Sequence, residues 1–272
     1  MGLLDRGVEI KTPEQIDAMR KAGLVVGRTL ELLRGSVRPG ITTAELDAIA
    51  EDNIRSSGAT PSFQGYHGFP ASICASVNDE VVHGIPGART LADGDVISID
   101  CGAIVEGWHG DAAITVAVGE VPDRVRELMR VTEQAMWRGI AAARLGGRVT
   151  DISAAVERYV RSQGRYGILE DYTGHGIGSE MHQPPNVPNY GRPGKGPKLV
   201  EGLALAVEPM ITLGTKETTL LEDDWTVVTD DASWAAHSEH TFTLTPAGAW
   251  VLTALDGGEA MLRELDVPFG GR

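Results

Sequence analysis

The sequence predicts an α+β domain in which helices cover strands, and three observations support this prediction. Helical patterns with capping signals open the chain and return after residue 121. Runs rich in valine and isoleucine follow each helical block. Two helix–turn–helix stretches, 39–58 and 146–164, share one order of features, which indicates either two similar halves, about 10–120 and 121–250, or the ordinary repetition of an α/β protein.

The first helical block contains two helices with clear start signals. Thr12 can cap the first helix, and Gln15 three residues later completes a capping box. Thr42 can cap the second helix with Glu45 at the matching position, and Gly58 is a typical stop. Apolar residues recur at helical spacing between these signals, so we expect each helix to bury one face.

The second helical block and the strands follow the same logic. One helix is predicted from Pro122 to Gly146, and another from a Thr150 cap to Gly164. The predicted strands are the runs DVISIDCGAIV, AAITVAV, LALAVEPMITLG, WTVVT and EHTFTLT. Residues 59–93 look irregular apart from a short apolar stretch, and the acidic, glycine-rich tail 256–272 is predicted to extend over the surface. We expect one domain over residues 1–272.

Composition excludes several classes of function. The net charge of −14 argues against nucleic acid as a direct ligand and against anionic lipid, because both need clustered basic residues. Two cysteines, Cys74 and Cys101, are too few for a disulfide scaffold or a cysteine zinc site. Residues 1–10 do not resemble a signal peptide, and no apolar run approaches membrane-spanning length. We therefore predict a cytoplasmic, reduced protein, and nothing in the residues demands more than a monomer.

Two carboxylates interrupt the strand-like stretch SIDCGAIVEGWHGDAAIT. In a hairpin that turns near residues 105–107, Asp100 and Asp111 would lie almost opposite each other, about 5 Å apart, where like charges repel. Three arrangements resolve the conflict: solvated charges, a protonated pair, or a cation between the carboxylates. Glu208 ends the run LALAVEP, and Glu239 opens EHTFTLT. Four acids at strand edges point to one oxygen-rich site for two divalent ions at the seam between the halves.

Histidines add to this pattern. His175 and His182 lie in TGHGIGSEMHQPP, where glycines let backbone approach a crowded centre and disfavour a helix. A phosphate-loop interpretation is weak, because the glycine spacing is wrong. His83 ends the run NDEVVH, and a lone histidine in such a position is more often structural than catalytic. The remaining four histidines are interpreted as structural: His67, His109, His237 and His240.

Five ordered blocks resemble the type I methionine aminopeptidases, metallopeptidases of the pita-bread fold. The blocks are NDEVVHGIP, IDCGAIVEGWHGDAAIT, GHGIGSEMHQPP, LALAVEPM and SEHTFTLT, and the resemblance covers residues 10 to 250. It implies two pseudo-symmetric halves with a curved antiparallel sheet covered by helices, forming one catalytic domain. Prolidases share the fold but carry an extra N-terminal domain, and type II enzymes carry an insertion for which the stretch 182–208 is too short.

The resemblance also implies a site. Asp100 would chelate one metal ion, Asp111 and Glu239 would bridge two, and His175 with Glu208 would complete the other. His83 and His182 match the two catalytic histidines that are not ligands, and Glu208 would also move a proton. The positions that match the methionine pocket are Tyr66, Phe69, Cys74 and Trp225. Departures from the usual pattern are Met181, where an aromatic residue is frequent, and Phe69, where tyrosine is common.

The implied activity is metal-dependent removal of the N-terminal methionine from nascent polypeptides when the second residue is small. The sequence does not select among cobalt, manganese, iron and zinc for the two ions. Transient association with the ribosome stays open, although the acidic loop GTKETTLLEDD does not favour ribosomal RNA. Alternatives are a peptidase of Xaa-Pro bonds, a protein-binding pseudoenzyme, and a structural metal protein; retention of all five ligand positions and both extra histidines disfavours the last two.

Overall fold

The computed structural model describes residues 7–272; Met1–Arg6, part of the segment interpreted as lacking a signal peptide, lie outside it. The α-helices of the described residues are α1 (Pro13–Ser36), α2 (Thr43–Ser56), α3 (Asp123–Ala142), α4 (Val149–Gln163) and α5 (Glu259–Glu264). The strands are β1 (Thr60–Pro61), β2 (Ile73–Val77), β3 (Glu80–Val82), β4 (Val96–Val105), β5 (Trp108–Ala117), β6 (Gly167–Ile168), β7 (Gly174–Gly176), β8 (Gln183–Val187), β9 (Ala204–Val207), β10 (Met210–Thr212), β11 (Thr218–Leu220), β12 (Val227–Thr229), β13 (Ala235–His237), β14 (Glu239–Thr245) and β15 (Gly248–Val251).

The predicted capping boxes open α1 and α2. The Thr12 hydroxyl accepts from the Gln15 amide while the Gln15 side chain accepts from Thr12, and Thr42 and Glu45 repeat the exchange. The predicted Thr150 cap of α4 is wrong. Asp151 accepts from the backbone amide of Arg148, so the helix begins two residues earlier, and Thr150 bonds a neighbouring loop instead.

The main sheet is antiparallel and runs in the order β1-β4-β5-β14-β9-β7-β8, with β2 on β4 and β15 on β14. It joins strands from both ends of the chain, and the predicted curved sheet with covering helices is confirmed. One core cluster lies between α1, α2 and β2, β4 and β5; another lies between α3, α4 and the later strands. One helix pair therefore packs on the earlier strands and the other on the later strands, although the boundaries of the two halves stay a prediction.

Helix α1 reaches the sheet through a glycine contact. A Cβ atom added to Gly110 on β5 would lie 2.7 Å from the Gly23 nitrogen on α1, closer than real Cβ atoms approach. The pair lets helix and strand pack backbone to backbone. Because Asp111 follows Gly110, this contact also sets the position of that carboxylate.

The C-terminal tail does not simply extend over the surface as predicted. Leu262 on α5 is fully buried against the second core cluster, and Phe269 forms a bridge with Ala249 beside β15. These apolar side chains give the otherwise acidic tail a face to bury, which favours packing over solvation.

Candidate metal centre

Three neighbouring strands bring carboxylates onto one face of the sheet. Asp100 on β4 pairs with Ala113 on β5, and Ala113 pairs in turn with Glu239 on β14. Asp111 pairs with Gly102, so Asp100 and Asp111 are diagonal neighbours two residues out of register and not direct partners as predicted. Paired and alternate positions share a face of a sheet, so the three acids converge.

The second half of the chain supplies the other members of the cluster. Glu208 directly follows β9, whose last residue pairs with the residue next to Glu239. His175 lies on β7, with its Nε2 atom 3.3 Å from Glu208 Oε1 and 4.0 Å from Asp111 Oδ2. One donor atom from each of Asp111, His175 and Glu239 lies within 4.8 Å of the others, which is a spacing that one ion can span.

Burial disfavours the charged form of the four carboxyl groups. Burial raises the pKa of Asp100 to about 7 and that of Glu208 to about 8. Burial and neighbouring acids raise the pKa values of Asp111 and Glu239 well above their usual range. Within the described residues, Asp100 Oδ1, Asp111 Oδ1 and Glu239 Oε1 are buried without a hydrogen-bond partner. Divalent ions would neutralise these charges and occupy the unpartnered oxygens, so the residues fit a metal.

Glycines beside His175 allow the close packing that the sequence suggested. A Cβ atom on Gly174 would lie 2.3 Å from the Ala206 carbonyl oxygen, and one on Gly176 would lie equally close, 2.3 Å, to the Pro184 oxygen. Strand β7 can therefore lie between β9 and β8 only with glycine at both positions. The narrow spacing aims the imidazole between them at the carboxylates.

His182 lies beside the cluster without joining the carboxylates. Its ring centroid is 4.3 Å from that of His175, and its Nδ1 atom is 2.8 Å from the Tyr66 hydroxyl. Burial lowers the pKa of His182, with a smaller effect from His67. The imidazole is therefore neutral near pH 7, and Tyr66 fixes its orientation.

His83 lines the same cavities as Asp100 and Glu208 and has a constrained backbone conformation. Its φ of 60° falls in the left-handed region, which is uncommon for a residue with a side chain. The ring packs edge-on against Tyr172 and Trp225, and burial lowers its pKa to about 4. A strained backbone at a residue that shares these cavities with the carboxylates makes His83 a candidate for a functional role.

Two cavities meet at the centre. One, of about 290 Å³, is lined by aromatic and sulfur-containing side chains above the carboxylates: Phe63, Tyr66, Phe69, Cys74, Met181 and Trp225. All four predicted pocket residues are therefore brought together, and Met181 is buried among them. The other, of about 430 Å³, is more polar and includes Asp171, Tyr172 and Asn186.

His237, for which the sequence pattern predicts a structural role, lies in the centre. Its Nε2 atom is 3.6 Å from Glu208 Oε2, and its side chain is buried. Its position in the sequence carries a signal for this placement. His237 lies two residues before Glu239, and side chains two residues apart in an extended chain point to the same face. His67, His109 and His240 are not among the residues whose donor atoms cluster in the described structure.

The helices among residues 7–272 include none that is both long and apolar enough to cross a membrane. A buried group of carboxylates and imidazoles between an apolar and a polar cavity defines the class of a metal-dependent enzyme.

Comparisons with known proteins narrow this class. The model of metallopeptidase family M24 matches residues 17–246. Methionine aminopeptidase of Clostridium acetobutylicum is 53% identical over 245 residues, 90% of this chain and 98% of that protein. Methionine aminopeptidase 1 of Mycobacterium tuberculosis is 52% identical over 257 residues, 91% of this chain and 96% of that protein. The solved methionine aminopeptidase of Thermotoga maritima has a TM-score of 0.89 at 41% identity and covers 91% of this chain and 99% of its own.

The chain belongs to metallopeptidase family M24. The likeness to this solved structure confirms the predicted pita-bread fold.

Proposed function

We propose that the protein is a methionyl aminopeptidase, which hydrolyses the first peptide bond of polypeptides that begin with methionine. The observation that carries this proposal is the junction of a buried carboxylate–imidazole cluster with an apolar cavity of about 290 Å³. The high identity to proteins named methionine aminopeptidase over nine-tenths of the chain supports the same substrate.

The centre would hold two divalent ions. In this proposal Asp100 would hold one ion, His175 and Glu208 would hold the other, and Asp111 and Glu239 would be shared by both. Bound ions supply a water of lowered pKa and an electrophile for the substrate carbonyl. Oxygen donors with one imidazole accept cobalt, manganese, iron or zinc, so availability decides the ion.

Glu208 is proposed to move the proton. Its side chain lines both cavities, so the carboxylate lies within reach of a bound substrate and a water. The side chain can accept a proton from the attacking water and return it to the leaving amine, which is general base and then general acid catalysis.

His182 is proposed to stabilise the oxyanion. When the Tyr66 hydroxyl donates to Nδ1 across 2.8 Å, the proton of the neutral ring is on Nε2, where it can be donated to the carbonyl oxygen. His83, which lines both cavities, would contact the nitrogen of the scissile amide.

The two cavities explain which end of a peptide binds where. The methionine side chain would fill the apolar cavity, where the thioether meets the rings of Phe69 and Trp225 and the thiol of Cys74. The free α-amine would face Asp100. The rest of the peptide would leave through the polar cavity beside Asp171, and crowding at the cleaved bond would favour a small second residue.

Metal-stripped protein supplied with each ion in turn tests the proposal. Hydrolysis of Met-Gly-Met is expected to return with at least one divalent ion, while an Ala-Pro dipeptide is left intact. Preference for the Xaa-Pro peptide would instead assign the chain to the other activity of this fold. Failure with every ion would contradict the proposed chemistry.

The wider assignments follow from this activity. The substrates would be N-termini of nascent polypeptides, which are made in the cytoplasm, and we propose a monomer that acts there without binding nucleic acid directly. Transient ribosome association would place the enzyme near those N-termini.

A further inference from the structure

Hydrogen bonds from its backbone to side chains of β4 and β5 fix the position of His237. Its N–H donates to Thr115 Oγ1 at 2.9 Å and to Ser98 Oγ at 3.2 Å, and the Thr115 hydroxyl donates to its carbonyl at 2.7 Å. The hydroxyls of β4 and β5 thus fix the backbone from which the imidazole points. The side chain is 2% exposed.

The imidazole nitrogen that faces the centre has no partner. His237 Nε2 is fully buried and forms no hydrogen bond with any described residue. A buried nitrogen without a hydrogen-bond partner is destabilising, so a folded chain rarely keeps one without a use. Its nearest charged atom is Glu208 Oε2, at 3.6 Å, just beyond hydrogen-bond length.

Glu208 lies between two imidazoles. Its Oε1 atom is 3.3 Å from His175, which belongs to the donor group with Asp111 and Glu239, and its Oε2 atom faces His237. Asn189 donates to the Glu208 carbonyl at 3.1 Å and fixes its backbone, so the carboxylate adjusts by side-chain rotation. One oxygen is thus directed at the proposed ion and the other at His237.

We propose that His237 is a positioning residue whose Nε2–H holds the second carboxylate oxygen of Glu208, leaving the first for the metal. This inference rests on the proposed function. A hydrogen bond to a ligating carboxylate fixes its orientation, and loss of such a partner typically lowers metal affinity or activity by about 10–100-fold. Glu208, His237 and Glu239 also offer three donor atoms within 4.8 Å, so direct ligation is the competing arrangement.

Two substitutions separate these arrangements. His237→Leu removes the N–H at similar volume, whereas His237→Gln keeps an N–H near the Nε2 position but is a poor metal ligand. We would measure Mn²⁺ binding to metal-stripped protein by calorimetry, kcat and KM on Met-Gly-Met, and the melting temperature without metal. The Leu variant should lose about 10–100-fold in kcat or Mn²⁺ affinity with KM unchanged. The Gln variant should recover most of that loss.

Wild-type kcat and Mn²⁺ affinity in the Leu variant would overturn the proposal. Equal losses in both variants would assign His237 as a direct ligand and would overturn it as well. The metal-free melting temperature detects misfolding, since neither variant removes a hydrogen bond from the described structure. If wild-type protein binds Mn²⁺ yet never cleaves the peptide, the proposed function fails, while the three Mn²⁺ titrations still test the role of His237.

Discussion

Glu239 and His240 are consecutive residues of β14 that face opposite sides of the sheet and meet opposite conditions. Glu239 is buried with an unpartnered oxygen and with a pKa raised by burial and other acids. On the other side, His240 Nδ1 lies 2.8 Å from the Thr253 hydroxyl, and its ring packs against Trp137. In this pair the satisfied polar group stabilises the fold, whereas the unpartnered one lies in the proposed metal centre.

Cavity size would have indicated the wrong side. The back of the sheet, which is the face of His240, carries a cavity of about 520 Å³. This cavity is larger than either of the two on the front, which is the face of Glu239. The front is distinguished instead by convergent carboxylates with raised pKa values, which are the better sign of chemistry.

Asp111→Asn should have the largest effect. It removes a proposed bridging carboxylate while keeping the shape, so turnover of Met-Gly-Met should fall by at least about a thousandfold. The metal-free variant should melt no lower than wild type, because one of several repelling acids is gone. Peptide assays and thermal melts check both parts, and near-wild-type turnover with metal present would refute the bridging role.

The pH dependence of the metal-stripped protein should come next. The folded pKa values of Asp100 and Glu208, about 7 and about 8, exceed their ordinary values, so the folded state binds more protons in between. The contribution of these two groups to the free energy of unfolding is therefore complete below about pH 4, and it is lost as the pH rises toward 8. Other groups fix the acid limit, so the comparison belongs between pH 5.5 and 8.

Thermal melts at those two pH values measure the effect. The metal-stripped protein should lose melting temperature at pH 8, and saturating Mn²⁺ should restore it most at that pH. A metal-stripped melting temperature that rises across the same interval would show that the carboxylates are not held protonated together.

Thr253→Val on the back should cost stability and spare chemistry. The Thr253 hydroxyl accepts from the Thr241 amide at 3.1 Å and partners His240 Nδ1. Valine leaves both groups unpaired, at about 1–3 kcal/mol. Denaturant unfolding should show that loss, with Mn²⁺ affinity and KM unchanged. A large loss of metal affinity would show that the two faces are not independent.

Local signals in the sequence predicted much of this molecule. The capping boxes at Thr12 and Thr42 need only neighbouring residues, so they were predictable. Thr150 was not, because a distant loop at Lys195 takes its hydroxyl. The two-residue offset between Asp100 and Asp111 depends on the register of the hairpin, which the pattern of residue types does not fix. The approach of His237 to Glu208 depends on how β9, which ends just before Glu208, lies in the folded sheet.

A matched pair of cysteine changes should give the smallest effects. Cys74 on β2 pairs with Asp100 on β4 and lines the apolar cavity. Cys101, which follows Asp100 on β4, is buried in the core behind the sheet. Cys101→Ala should lower the free energy of unfolding by roughly 1 kcal/mol, since it opens a small void, and leave KM unchanged. Cys74→Ala should change stability less, because its sulfur borders a cavity, and should raise KM for Met-Gly-Met severalfold. Urea unfolding and steady-state kinetics on both variants measure the contrast, and an exchange of the two outcomes would mean that the methionine pocket is not on the front face.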